Sequence, residues 1–176
     1  MRVLVGYASA RGSTREIAEH IARRLGESGL QAEARAMDAK EVEPVDDYDA
    51  FVLGSAVYHG AWLPEAVSFV ADHRALLAER PLWLFSVGSK DALRGPIGRR
   101  RAANYPTPGG IAELHGDLHP REHRILTGVI RHDGRGGLAR LYLWVLGTRY
   151  GDFRDWPAID AWAGTIAAAL ATARQP

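Results

Sequence analysis

A doubly wound α/β domain built on a parallel sheet is the fold class the sequence predicts, and three observations predict it. Three continuous apolar runs, Val3-Leu4-Val5, Ala50-Phe51-Val52-Leu53 and Leu82-Trp83-Leu84-Phe85, have the composition of strands covered on both faces. Each run ends in a polar or aromatic loop, and helix-period patterns follow the first two. The chain has 176 residues, is 47% apolar and carries no internal repeat, which is enough for one domain with a full core. Residues 1–176 are therefore expected to form a single unit.

The first strand-loop-helix unit, residues 3–25, organises the rest. After Val3-Leu4-Val5 comes a loop of small and hydroxyl residues, Ser9-Ala10-Arg11-Gly12-Ser13-Thr14, and then a helix whose Ile17, Ala18, Ile21, Ala22 and Leu25 share one face. A helix N-terminus offers unpaired N–H groups and partial positive charge, Gly12 lets the backbone approach a ligand, and Ser9, Ser13 and Thr14 supply hydroxyls. Arg11 adds charge at the rim. The loop has no Gly-Lys-Ser/Thr, so it is not a triphosphate loop, and no Gly-x-Gly-x-x-Gly, so it is not a dinucleotide turn. It suits one monoester phosphate, as in FMN. The same residues also suit a simple cap, with Ser13 at the N-cap and Glu16 three residues on completing a capping box.

Gly29 closes the helix, and residues 30–37 alternate small apolar with polar side chains, as an edge strand buried on one face does. Residues 41–49 are acidic and lead to the central strand at Ala50. The loop after it, Ser55-Ala56-Val57-Tyr58-His59-Gly60-Ala61-Trp62, sits where ligands bind in open α/β sheets. Tyr58 and Trp62 could wall a planar ring or be ordinary partly buried aromatics. His59 reads as an acid-base group or, more commonly, as a hydrogen-bonded bystander. Pro64 opens the next helix, and the strand Leu82-Trp83-Leu84-Phe85-Ser86-Val87 ends in the polar loop Gly88-Ser89-Lys90-Asp91, so three strand ends converge. Residues 94–120 are basic and Gly/Pro-punctuated, with short helical stretches around 97–104 and 109–115. Residues 124–131 read as a fifth strand, and 156–173 as a terminal helix presenting Ile159, Trp162, Ile166 and Leu170. Between them lies an insertion, 132–155, whose apolar core of Leu138, Leu141, Tyr142, Leu143, Trp144, Val145 and Leu146 is flanked by Arg135, Arg140 and Arg149. It must cover its own sheet, a second subunit through 135–149, or a membrane surface.

Composition removes several classes. With no cysteine there is no disulfide framework, thiol nucleophile or cysteine-based metal or iron–sulfur site, and no metal site is expected. No secretory leader and no membrane-spanning run is expected, which fits a cytoplasmic protein, at most peripheral to a membrane. The net charge of +1 conceals an asymmetry, because residues 1–87 sum to −4 and residues 88–150 to +6. Charge alone does not choose a partner, and no nucleic-acid motif is present.

The chain resembles the flavodoxin-domain family, and within it the menaquinone-dependent protoporphyrinogen dehydrogenase branch. The residues that carry this are 12–18 after the first strand, Tyr48-Asp49, Gly54-Ser55-Ala56 with Gly60, Phe85-Ser86-Val87, Asp155-Trp156 and the position of the insertion. The resemblance implies a flavodoxin-like five-stranded sheet of order 2-1-3-4-5 with an insertion before the last helix. It further implies that Ser9, Ala10, Arg11, Gly12, Ser13 and Thr14 hold an FMN phosphate. Ser55, Ala56, Val57, Tyr58, His59 and Gly60 would line one side of the isoalloxazine, and Ser86, Val87, Gly88 and Ser89 the other. The implied function is an FMN-dependent oxidoreductase acting on a porphyrinogen or quinone-type small molecule. The alternatives are an electron carrier serving a redox partner and a flavin-free binding protein. Arg11 and the lack of the acidic surface of electron carriers depart from the shuttle pattern. Arg94, Arg99, Arg100 and Arg101 would suit the carboxylates of a tetrapyrrole.

Overall fold

The computed structural model describes residues 1–38, 44–90, 100, 118–130 and 150–173. Five parallel strands form the sheet: β1 (Arg2–Ala8), β2 (Gln31–Ala36), β3 (Ala50–Tyr58), β5 (Leu82–Gly88) and β6 (Glu122–Thr127). Their order, β2-β1-β3-β5-β6, is the 2-1-3-4-5 order expected, with the short β4 (Ala61–Trp62) paired to β3 alone. On one face lie α1 (Ser13–Glu27) and α4 (Trp156–Thr172); on the other lie α2 (Pro64–Asp72) and α3 (Arg74–Glu79).

Covering both faces explains the unbroken apolar runs. Val3 and Val5 pack towards α1 and α4 while Leu4 packs towards α2, and all three are at most 1% exposed. The face chosen for α1 is the observed one: Ile17, Ile21 and Leu25 are fully buried, each contributing about 1.5–3 kcal/mol relative to exposure. The helix ends as expected at Gly29. Leu30 N–H reaches Leu25 O and Gly29 N–H reaches Gly26 O, the paired bonds of a Schellman motif. Ile159, Trp162, Ile166 and Leu170 of α4 are buried, and Asp155 Oδ1 caps that helix by accepting from Ala158 N–H at 3.0 Å.

Three sequence expectations change. The segment 55–62 is not a loop: β3 runs on to Tyr58, turns at His59 (φ 49°) and Gly60 (φ 80°), and returns as β4, pairing Tyr58 with Ala61. Two successive positive φ values make the type I′ turn that matches strand twist. The helix after Pro64 breaks at His73 into α2 and α3. The fifth strand begins at Glu122 rather than Arg124 and stops at Thr127; beyond Gly128, β7 (Val129–Ile130) pairs antiparallel with β8 (Gly151–Asp152). That ribbon is the stem of the insertion. Residues 132–149 of the insertion and the helical stretches expected around 97–104 and 109–115 fall largely outside the described residues, as do Arg94, Arg99, Arg101 and Arg131. Arg100 is described and exposed. No helix among the described residues is long and apolar enough to cross a membrane.

Candidate functional site

The carboxyl ends of β1, β3, β5 and β6 surround a cavity of about 210 Å³. Its first wall is the loop after β1, through Ser9, Ala10, Arg11, Ser13 and Thr14. Gly12 turns the chain into α1 at φ 89°, a conformation that costs a side-chain-bearing residue energy and glycine little. Ser9 Oγ accepts the Gly12 N–H at 3.0 Å, which fixes the loop from inside. The first helical bond runs from Glu16 N–H to Gly12 O at 3.0 Å, and no side chain caps the helix. The N–H groups of Ser13, Thr14 and Arg15 therefore precede the helical ladder, in the arrangement that binds anions. The capping-box reading fails on this geometry. Gly12, not Ser13, is the N-cap, and Glu16 turns instead to Arg154.

The second wall is the end of β3, through Ala56, Val57 and Tyr58. Tyr58 is 45% exposed and meets the His59 ring edge-on at 5.0 Å. His59 and Gly60 form the turn beyond it and are not part of the cavity lining. The third wall is Val87, Gly88 and Ser89 at the end of β5.

Ser55 and Ser86 do not reach the cavity. They are paired across β3 and β5 and share the pleat face of Leu53 and Leu84, beneath α2. Ser55 is fully buried; its Oγ accepts from Leu63 N–H at 3.0 Å and donates to Ala56 O at 2.9 Å, which pins the return of the hairpin. Ser86, also fully buried, accepts from Trp62 Nε1–H at 2.8 Å and shares a hydrogen bond with His123 Nε2 at 2.9 Å. Trp62, 4% exposed, belongs to the core and not to a ligand wall.

A fourth wall was missed in the sequence: Gly128, Val129 and Ile130. Gly128 is required by close approach. A Cβ there would stand 2.4 Å from Ser13 Oγ and 2.8 Å from Val87 Cγ1. Val129 N–H then points to Ser13 Oγ at 3.4 Å, and Phe153 N–H to Gly128 O at 3.4 Å. The only sequence signal was a glycine inside the β-forming run 125–130, the mark of a bulge or close contact in a strand.

Among the described residues the lining carries one charged side chain, Arg11, and no carboxylate. Carboxylates on the adjoining strands are engaged by neighbouring donors. Hydrogen bonds from Arg154 hold the Asp152 carboxyl below its ordinary range against a smaller opposing effect of burial. Glu122, the first residue of β6 and at the end of that strand away from the cavity, is pushed up by burial but held below its ordinary value by hydrogen bonds from Arg124 and from Trp162 Nε1, at 2.6 and 2.8 Å.

Comparison with known proteins agrees with this architecture. Residues 4–131 match the family described as flavodoxin domain. The protoporphyrinogen IX dehydrogenase (quinone) of Escherichia coli strain K12 is 31% identical over 135 residues, covering 75% of this chain and 71% of that protein. Among solved structures, a cysteine-to-serine mutant of flavodoxin from Pseudomonas aeruginosa superposes with a TM-score of 0.62 at 18% identity, covering 97% of this chain and 99% of that one. The rubredoxin oxygen:oxidoreductase of Desulfovibrio gigas gives 0.60 at 14% identity, over 97% of this chain and 36% of that one. At these identities the two structures attest the fold alone.

Proposed function

The chain belongs to the flavodoxin-domain family, and from that premise we propose that it is an FMN-dependent oxidoreductase, with a porphyrinogen as the reductant it oxidises and a quinone as electron acceptor. The observation that carries the cofactor is the uncapped N-terminus of α1 opening on a cavity rimmed by Ser9, Ser13 and Arg11. These donors suit a phosphate monoester: three backbone N–H groups, hydroxyls, and a guanidinium in place of a lysine-magnesium pair. The cavity is smaller than the roughly 300–1,000 Å³ typical of sites that engulf a whole cofactor-sized ligand. The fit is therefore to a phosphate and its polyol tail, with a ring system at the rim near Tyr58.

In this reading Ser9, Ala10, Arg11, Gly12, Ser13 and Thr14 hold the phosphate, and the ends of β3 and β5 flank the ring. FMN supplies hydride or single-electron transfer, and the protein supplies binding, orientation and electrostatics. Arg11 and a lining without carboxylates favour a reduced, negatively charged flavin more than an acidic rim would. The porphyrinogen and quinone come from what the Escherichia coli relative is named for. The basic segment 88–150 supports them, since arginines suit the carboxylates of a tetrapyrrole.

The test is to purify the protein, record its visible spectrum, identify the released cofactor by mass, and follow porphyrin fluorescence after adding protoporphyrinogen IX with a quinone. A yellow protein releasing FMN and turning over both substrates is the expected result. A protein that holds FMN but turns over neither would be an electron carrier. A colourless protein that takes up no FMN would contradict the cofactor itself.

A further inference from the structure

Glu16 is ill placed for a phosphate site. It stands in the first turn of α1, and its side chain reaches back to the loop, so that a Cβ added at Gly12 would lie 3.9 Å from Glu16 Oε1. A second carboxylate, Asp152, sits on β8, paired with Val129 of the cavity wall. Two negative charges here oppose a bound phosphate dianion.

Both converge on one cation. Arg154 donates from Nε to Asp152 Oδ1 at 2.9 Å, from Nη2 to Asp152 Oδ2 at 2.6 Å, and from Nη1 to Glu16 Oε2. Its backbone N–H also reaches Asp152 Oδ1 at 3.1 Å. The side chain is only 11% exposed, and the guanidinium lies 4.6 Å over the Trp156 ring. Such a fork is geometrically fixed in a way a lysine would not be.

We propose that Arg154 is the positioning residue that sets the phosphate selectivity of the flavin site, by neutralising Glu16 beside the loop and tying the return strand of the insertion to the first turn of α1. This rests on the FMN reading above. The bond from Phe153 N–H to Gly128 O gives the same tie a second anchor, so the fourth wall and the helix N-terminus are held as one piece. Hydrogen bonds to Asp152 and Glu16 raise the Arg154 pKa further, so the cation persists at every working pH.

The experiment measures Kd for FMN and for riboflavin in parallel, by flavin fluorescence, on the unaltered protein and on Arg154→Gln, Arg154→Lys and the double variant Glu16→Gln/Arg154→Gln. Arg154→Gln is expected to weaken FMN about tenfold while riboflavin changes by less than about twofold. The gap should shrink in about 0.5 M salt, where charges are screened. Arg154→Lys should keep most of the FMN preference, and removing the Glu16 charge in the Arg154→Gln background should restore it. A purely structural defect would weaken both flavins together and would not be rescued by Glu16→Gln. An unchanged FMN-to-riboflavin ratio in Arg154→Gln, or a loss that Glu16→Gln fails to restore, overturns the inference while leaving the cofactor reading intact. If the unaltered protein binds neither flavin, the cofactor reading falls and this inference with it.

Discussion

Ser9 and Ser13 on the loop after β1, and Ser55 and Ser86 at the ends of β3 and β5, stand within one sheet edge and are chemically identical, yet their surroundings differ completely. The first pair lines the cavity, and Ser13 also receives the Val129 N–H of the opposite wall. The second pair is fully buried on the α2 face, where one serine pins the β3–β4 hairpin and the other joins Trp62 to His123. Position at the carboxyl end of a strand is thus not enough to make a residue part of a site. Depth along the strand decides together with the pleat: Ser55 and Ser86 follow Leu53 and Leu84 by two residues and inherit their buried face, whereas the residues just beyond them, Ala56 to Tyr58 and Val87 to Ser89, line the cavity.

The comparison can be broken most severely where the two regions meet. Gly128→Val would drive a side chain into Ser13 on one side and Val87 on the other. Overpacking of this kind costs about 1–3 kcal/mol, so a lower melting temperature and loss of FMN binding are expected together, by calorimetry and flavin fluorescence.

Variants on either side should then separate. Ser13→Ala removes a hydroxyl from the proposed phosphate site. FMN affinity should fall about tenfold or more, since a hydrogen bond to a charged group contributes roughly 1.5–3 kcal/mol, with little change in the urea midpoint. Ser86→Ala should do the reverse. It leaves the buried Trp62 Nε1–H without its acceptor, a cost of about 1–3 kcal/mol in urea unfolding, while FMN affinity changes by less than about twofold. If Ser86→Ala weakens FMN as much as Ser13→Ala does, the division of labour is wrong.

A smaller effect comes from pH. Glu33, Glu122, Asp152 and Asp160 are all held below their ordinary values, of 3.8 for aspartate and 4.5 for glutamate, so their contribution is present above those values and is lost as pH falls below them. At the other limit, burial and the Glu33 hydrogen bond push Tyr48 up to about 12 from 10.0. The native state keeps a proton there that the unfolded chain gives up, so stability should decline from pH 10 upward. Tyr48→Phe should reduce that alkaline decline, leaving the part that comes from Tyr7, which burial also pushes up, and Glu122→Gln should lessen the acid one, both followed by thermal unfolding across pH. An undiminished alkaline decline in Tyr48→Phe would assign it to another group.

Much of the fold was legible because covered parallel strands must be apolar throughout. Val3-Leu4-Val5, Ala50-Phe51-Val52-Leu53 and Leu82-Trp83-Leu84-Phe85 announce themselves, as does the buried face of α1. The phosphate-type loop was legible for a similar reason, since hydroxyls and Gly12 sit just ahead of a helical pattern. What was hidden depends on through-space partners. The break at Gly128 interrupts a run that reads as one strand, and only its approach to Ser13 explains it. The His59-Gly60 turn was hidden because histidine is an uncommon occupant of positive φ, so no Asn-Gly or Asp-Gly flagged a hairpin. Glu16 matched a capping box locally, while its real partner, Arg154, lies 138 residues away.

The most direct test of the account is a crystal structure of the protein with FMN. The phosphate should sit within hydrogen-bonding distance of the Ser13 and Thr14 N–H groups and the Ser13 hydroxyl, with the ring system beside Tyr58 and Ser55 and Ser86 untouched. A flavin bound elsewhere, or with its phosphate away from the first turn of α1, would contradict it.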